Sequence, residues 1–410
     1  MTTTLIRNAR LLDVEQGLYV EGASVAIERG EIAEVSEREI AFKAERVIDA
    51  RGLTLMPGLI DAHVHAYLTT MDLAALSLKP ASLLAHEGAE ILEGMLQRGF
   101  TSVRDAAGAD WGLQTAVERD LVKGPRLYIS GRALSQTGGH GDPRARGSAI
   151  GICSCGAHTS WLAHVVDGVP AVLAAARAEL RGGANQIKIM ASGGVASPAD
   201  PLMSIQFTLE EIRAAAGEAR DWGTYAMAHA YSPEAITRAI EGGVRTIEHG
   251  NFLDEATARL MVERSAFLVP TLVTYHTLYE LGRQAGFPEA NLAKTAQVLQ
   301  AGLRSLEIAR EAGLPTGYGT DLLGMAHPQQ NREFEIRAEV LPPLELIRSA
   351  TLVNARILNE EGRLGTIGAG AHADLLLVEG DPLRDISVLV RTEETLRLVM
   401  KAGRIYRNTL

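Results

Sequence analysis

At 410 residues, 46% hydrophobic and 22% charged, the chain is too long for one small core and long enough for a barrel plus a second module. A formal charge of −10 with no concentrated Lys/Arg patch excludes a nucleic-acid surface, because phosphate binding needs clustered cations. No apolar run approaches the roughly 20 residues that span a bilayer, so no membrane partner is expected.

The start, Met1-Thr2-Thr3-Thr4-Leu5-Ile6-Arg7-Asn8, lacks the basic and apolar segments of a secretory signal, and a cytoplasmic location is expected. Residues 5–9, 23–28 and 31–35 read as short strands broken by Gly22 and by Arg29-Gly30. Residues 373–379, 395–402 and 404–406 do the same at the other end, which suggests one small sheet module assembled from both termini. Pro57-Gly58 closes the first piece and the glycine-rich stretch 365–371 opens the last. Between them, strand patterns at 59–65, 102–106, 127–131, 186–190, 226–230, 246–249, 267–271 and 316–320 alternate with helix-like segments such as 169–181, 208–221 and 233–241. Thr208-Leu209-Glu210-Glu211 and Ser232-Pro233-Glu234-Ala235 read as helix starts, a hydroxyl cap followed by first-turn acids. Strand then helix, eight times over, predicts a (β/α)8 barrel. The only cysteines, Cys153 and Cys155, offer no disulfide framework and read as two reduced thiols in a loop rather than a metal site. The charge run 332–339 reads as the solvated face of a helix after the eighth strand.

Chemistry concentrates first in Gly58-Leu59-Ile60-Asp61-Ala62-His63-Val64-His65. Strand residues two apart share a face, so His63 and His65 project together into the barrel. Two hydrogen-bonded core histidines are the plainer alternative. His229 and His249 each end a predicted strand, and Asp321 follows another; barrel active sites are assembled at those C-terminal ends. Singly, each has a dull explanation, a satisfied surface histidine or an N-cap, but together they put metal-suited groups on one rim. Lys188 lies between Ile187 and Ile189 in a strand expected to be buried, where an unpaired cation is costly.

His63, His65, Lys188, His229, His249 and Asp321, in that order, resemble the metal-ligand pattern of the amidohydrolase superfamily. Met56-Pro57-Gly58-Leu59-Ile60-Asp61 and Gly370-Ala371-His372-Ala373-Asp374-Leu375 agree with the same family. The resemblance implies an α/β fold: a (β/α)8 TIM barrel over residues 58–358 with a small β-sandwich module built from 1–57 and 359–410. It implies two divalent metals, zinc by donor type though manganese or cobalt also suit it, with Lys188 carboxylated to a bridging N6-carboxylysine. His63, His65 and Asp321 would hold one metal, His229 and His249 the other. A hydroxide bridging the metals would attack an amide carbonyl, with Asp321 moving the proton to the leaving nitrogen.

Ser135-Gln136-Thr137-Gly138-Gly139-His140-Gly141-Asp142, His229-Ala230-Tyr231-Ser232 and Lys188-Ile189-Met190-Ala191-Ser192-Gly193-Gly194 resemble the prolidase-like branch. The implied substrates are dipeptides, Xaa-Pro or another Xaa-amino acid, or N-acyl amino acids. His140 and Tyr231 would then hydrogen-bond the substrate carbonyl or the tetrahedral intermediate. Arg104, or the backbone N–H groups of Ser192-Gly193-Gly194, are alternative partners for a substrate carboxylate. The loop 144–164, carrying Cys153, Cys155 and Trp161, is expected over the site. A ring-opening, imidazolonepropionase-like enzyme is the rival, against which Lys188 counts; a non-catalytic barrel is remoter, since all six ligands stand. The resemblance also suggests a homo-oligomer.

Overall fold

The computed structural model describes residues 3–38, 40–76, 78–142, 144, 162–197, 200–284, 287 and 289–410. The N-terminal strands are β1 (Thr4–Asp13), β2 (Leu18–Glu28), β3 (Glu31–Ser36), β4 (Arg46–Asp49) and β5 (Thr54–Pro57). The middle of the chain supplies β6 (Leu59–Val64), β7 (Phe100–Asp105), β8 (Arg126–Ile129), β9 (Ala133–Ser135), β10 (Ala163–Val165), β11 (Ile187–Met190), β12 (Ala226–Ala230), β13 (Thr246–His249) and β14 (Phe267–Val269). The C-terminal strands are β15 (Leu375–Val378), β16 (Leu396–Lys401) and β17 (Arg404–Asn408).

Both chain ends share one eight-stranded sheet, ordered β17-β16-β15-β5-β1-β2-β3 with β4 on β1. Its seam is β15, whose Leu-Leu-Leu-Val run is buried on both faces, as an uninterrupted apolar strand should be. Leu375 and Leu377 pack with Ile6, Val25, Ile27 and Met400, while Leu376 and Val378 join the cluster containing Leu96, Phe100 and Val399. Each such side chain contributes roughly 1.5–3 kcal/mol on burial, so this strand fastens the sheet to the rest of the molecule.

The middle region is α/β, with parallel strands in a three-stranded sheet, β6-β7-β8, and a six-stranded one, β10-β9-β11-β12-β13-β14. Parallel neighbours need crossovers, and helices supply them. Val169–Arg181, Leu209–Asp221, Pro233–Glu241 and Glu255–Glu263 place Val172, Ile212, Ile236 and Met261 in one cluster with Ile187, Ile189, Ala226, Ala228 and Ile247. Thr208 forms a capping box with Glu211, and Ser232 and Asp254 cap the next two helices, each worth about 1 kcal/mol. Because Ile187 and Ile189 face the helices, the two-residue period turns Lys188 to the opposite face. The same parity turns His229 away from Ala228 and Ala230.

Three expectations need correcting. Residues 316–320 are not a regular strand: Thr316 makes a single bridge to Leu268. The segment is nevertheless held on both sides, by Leu268 N–H to Pro315 O and Ala62 N–H to Tyr318 O at 3.1 and 2.8 Å. Gly319 allows the approach, since a Cβ there would lie 2.4 Å from Val269 Cγ1 and 2.9 Å from His63 Cβ. Second, β9 and β10 were not anticipated; three residues each are too short to show a period. Third, the charge run 332–339 is a solvated face only in part, with Glu335 and Glu339 exposed. Glu333, Phe334, Ile336 and Arg337 are buried, with Glu333 Oε2 accepting from Val273 N–H and Arg337 donating to Gly317 O. Cys153, Cys155 and Trp161 lie outside the described residues.

Candidate metal centre

The four strand-end histidines meet at one place. Ring centroids lie 5.3 Å apart for His63 and His65, 5.0 Å for His63 and His249, and 4.5 Å for His229 and His249. Asp321 Oδ1 lies 3.4 Å from His63 Nε2 and 3.0 Å from His65 Nε2. Ligand atoms of His63, His249 and Asp321 all fall within 4.8 Å of one another, a trio that crosses the division between the two expected metals.

Strand geometry alone does not aim every ligand inward. His249 follows Glu248, which already faces inward, so a regular strand would point His249 outward. Its backbone instead adopts φ +74°, and Asp321 adopts φ +53°, both left-handed. Such turns cost an L-residue roughly 1–3 kcal/mol and concentrate where a side chain must be re-aimed for function.

Each imidazole is anchored through one nitrogen. His63 Nδ1 donates to Glu248 Oε2 at 2.7 Å, His65 Nδ1 to the Ala107 carbonyl at 2.9 Å, and His229 Nε2 to the Gly193 carbonyl at 3.0 Å. Carbonyls and carboxylates cannot donate, so each of these nitrogens carries a proton, and the opposite nitrogens of His63 and His65 face Asp321 Oδ1. His249 Nδ1 contacts Thr271 Oγ1 at 2.8 Å. Burial drives His229 and His249 well below the usual imidazole pKa, so both are neutral donors. Burial would raise the Asp321 carboxyl, but His63 and His65 hold it well below the usual carboxylate range. Burial pulls the Lys188 ammonium down to about 8, against the opposing pull of Glu248 and Asp321. The neutral imidazoles of His229 and His249, an ionised carboxylate and a readily neutralised amine beside His63 and His65 fit a divalent metal ion.

His140 stacks on His229 with centroids 4.3 Å apart and planes 17° from parallel. Its Nδ1 bonds Ser197 Oγ at 3.0 Å, and Ser197 in turn donates to Asp200. The ring lies over Gly194, where a Cβ would meet it at 2.2 Å. Tyr231 stacks on His249 at 5.3 Å, with its hydroxyl 2.8 Å from that of Tyr275. Both sequence candidates therefore border the histidine cluster.

Of the candidates for a substrate carboxylate, Arg104 and two of the three N–H groups are already engaged. Arg104 is fully buried, its guanidinium donating to both Glu248 oxygens at 2.8 and 3.0 Å, to Ala62 O and to Thr246 Oγ1. Its donors are used up inside the protein. Gly193 N–H is bonded to Ser204 O and Gly194 N–H to Asp200 Oδ2. The Glu248 anchor of His63 was missed from sequence, although a charge in a buried strand is the same signal that singled out Lys188. Asp61, also missed, accepts from His63 N–H, Thr320 Oγ1 and Gln330 Nε2, tying the strand bearing His63 to the segment bearing Asp321.

Comparison with known proteins gives the family to which the chain belongs. A solved prolidase complexed with N-methylphosphonate-L-proline is 50% identical, with TM-score 0.97 and 100% of each chain covered. A solved Xaa-Pro dipeptidase with methionine in its active site is 32% identical, with TM-score 0.88, covering 99% of this chain and 100% of that one. Ochratoxinase from Aspergillus niger is 31% identical over 97% of this chain and 86% of its own length. The model of the amidohydrolase family matches residues 54–406, and the chain belongs to that family.

Proposed function

We propose that this chain is a metal-dependent amide hydrolase that cleaves dipeptides, with Xaa-Pro first among them, or N-acyl amino acids. The observation that carries the reading is the set of anchored imidazoles whose free nitrogens converge with Asp321 beside buried Lys188. The relatives add the substrate class. A tetrahedral phosphorus on a proline nitrogen copies the shape of an Xaa-Pro carbonyl after water has added, the form a hydrolase binds best. An imidazolonepropionase-like ring opening remains the rival; intact Lys188 counts against it.

In this reading His63, His65, Lys188, His229, His249 and Asp321 hold two divalent ions, zinc by donor type. When bound, they acidify water and polarise the amide carbonyl. Lys188, neutral part of the time near pH 8, adds carbon dioxide through its amine nitrogen and loses a proton, becoming an anionic N6-carboxylysine. Asp321, ionised at neutral pH, takes the proton of the attacking water and passes it to the leaving nitrogen. His140 and Tyr231 hydrogen-bond the carbonyl oxygen as charge develops on it.

The hydrogen bonds of 315–321 to Leu268 and Ala62 support closure of the two parallel sheets into a (β/α)8 barrel over residues 58–358. Residues 1–57 with 359–410 would form the β-sandwich module. The reading includes a cytoplasmic homo-oligomer acting on a small molecule; among the described residues no helix is long and apolar enough to cross a membrane.

The test is a panel of dipeptides varied at both positions, with N-acyl amino acids, offered to protein loaded with zinc and bicarbonate. Release confined to one C-terminal class supports the reading and names the pocket's preference. A fully metallated protein that releases nothing overturns it.

A further inference from the structure

Behind Tyr231 runs a row of polar groups, two of which, Thr271 and Tyr275, the hydrolytic steps leave unused. His249 Nδ1 lies 2.8 Å from Thr271 Oγ1, Thr271 Oγ1 3.5 Å from Tyr275 Oη, and Tyr275 Oη 2.8 Å from Tyr231 Oη. All four residues are buried. Thr271 sits at the N-cap of helix Leu272–Leu281, and Tyr275 lies one turn into it, so both ride on a rigid element.

Each hydroxyl owns one proton, and hydroxyls buried from water need partners, so the row has a direction. The histidine sets it. If Nε2 of His249 is a metal ligand, Nδ1 carries the proton and Thr271 accepts. The Thr271 proton then goes to Tyr275, and the Tyr275 proton to Tyr231. Tyr231, already accepting, has its own proton left for the site. The reverse order would leave Tyr231 spending its proton on Tyr275 and presenting only lone pairs to a developing oxyanion. The tyrosine pair alone has no direction, so the ordering is carried by the His249 and Thr271 links.

We propose that Tyr275, ordered by Thr271, is a positioning residue that fixes Tyr231 as a hydrogen-bond donor to the carbonyl oxygen in the transition state. The proposal rests on the amide-hydrolase reading and deepens it. A donor that also accepts is polarised along the chain and becomes a stronger donor. It is also held in one orientation before the substrate arrives.

A double-mutant cycle tests it, using zinc-loaded enzyme and an Xaa-Pro dipeptide. Tyr275→Phe keeps the ring and removes the hydroxyl. It should lower kcat roughly tenfold while leaving KM and zinc content unchanged. In a Tyr231→Phe background the same change should cost less than about twofold, because the group it acts through is gone. An equal loss in both backgrounds overturns the proposal. A second readout is calorimetric binding of N-methylphosphonate-L-proline, whose anionic oxygens stand in for the oxyanion. Y275F should weaken it only where Tyr231 is present, and equal weakening in both backgrounds again overturns the proposal. Should the wild type cleave nothing yet bind the phosphonate, the hydrolytic reading fails while this binding cycle still decides the tyrosine pair.

Discussion

Glu248 is the residue on which both the architecture of the site and the stability of the α/β interior converge. Its carboxylate, fully buried, accepts from Arg104 at 2.8 and 3.0 Å, from His63 Nδ1 at 2.7 Å and from Thr246 Oγ1 at 2.7 Å. Burial opposes its ionisation, but Arg104 and His63 hold the carboxyl far below the usual range. Glu248→Gln preserves volume, removes the charge and turns an N–H pair toward groups that are themselves donors. Removing one partner of a buried ion pair costs about 3–5 kcal/mol, because the other charge stays buried without compensation. At ~2.1 cal/mol/K of unfolding entropy per residue, that is a fall in Tm of roughly 3–6 °C for a chain this long. Zinc affinity should fall separately, by roughly 10–100-fold, because His63 loses the acceptor that orients its ring. Scanning calorimetry of the metal-free protein reads the first effect, and competition with a chromophoric chelator reads the second. The double variant R104M/E248L separates them: replacing both charges with apolar groups should restore most of the stability while zinc binding stays weak. An E248Q protein with unchanged Tm and zinc affinity would refute the reasoning.

Other expectations follow from the same geometry. D321N should lower kcat on a dipeptide by roughly 10²–10⁴-fold with a modest effect on zinc content, measured side by side on one preparation. Lys188→Ala should lose zinc even with bicarbonate present, whereas wild type prepared free of carbon dioxide should regain zinc once bicarbonate is added; metal analysis decides. Burial raises the Glu333 carboxyl from its ordinary 4.5 to about 8, so the folded state holds a proton that the unfolded state releases. Its contribution to stability is therefore full below about 4.5 and lost as pH rises toward 8. E333Q should flatten that part of the stability–pH curve, and an unaltered slope in chemical denaturation would show that Glu333 is ionised throughout.

What the sequence made legible was whatever a local period encodes. Residues 226–230 and 246–249 coincide with β12 and β13, because Tyr231-Ser232-Pro233 and Gly250-Asn251 mark where each strand ends. The Ile187-Lys188-Ile189 run was enough to mark a lysine in a buried strand, and the packing of both isoleucines on the helices shows which face it takes. What stayed hidden depends on partners far away in the chain. Arg104 and Glu248 are 144 residues apart, and nothing local says that one buried charge has found the other. Arg104 was therefore free to be read as a substrate contact. Tyr275, with Leu272 and Leu278 three residues away on either side in its helix, carries the pattern of a core aromatic, and only its position against Tyr231 distinguishes it. The run at 332–339 misled for the opposite reason: its charges look solvated until the segment at 317 and the helix start at 273 are packed onto it.

The left-handed turn at His249 joins these two classes, since the histidine was legible and its aim was not. Main-chain bonds hold the turn: Gly250 N–H reaches Ala230 O at 3.0 Å, and Ala230 belongs to the neighbouring strand. The sheet, not the ligand, therefore imposes φ +74° at this position. Substituting the side chain should remove a metal ligand without relaxing the backbone, and a replacement residue inherits the strain. Asparagine tolerates the left-handed region better than alanine, because its short polar side chain bonds locally. His249→Asn and His249→Ala should therefore weaken zinc binding alike, yet the metal-free Asn variant should be the more stable by up to about 1 kcal/mol. Equal stabilities in denaturant titration would mean that the histidine ring, through Thr271 and its neighbours, holds the turn instead. The conformation would then be a product of the ligand set and not its foundation.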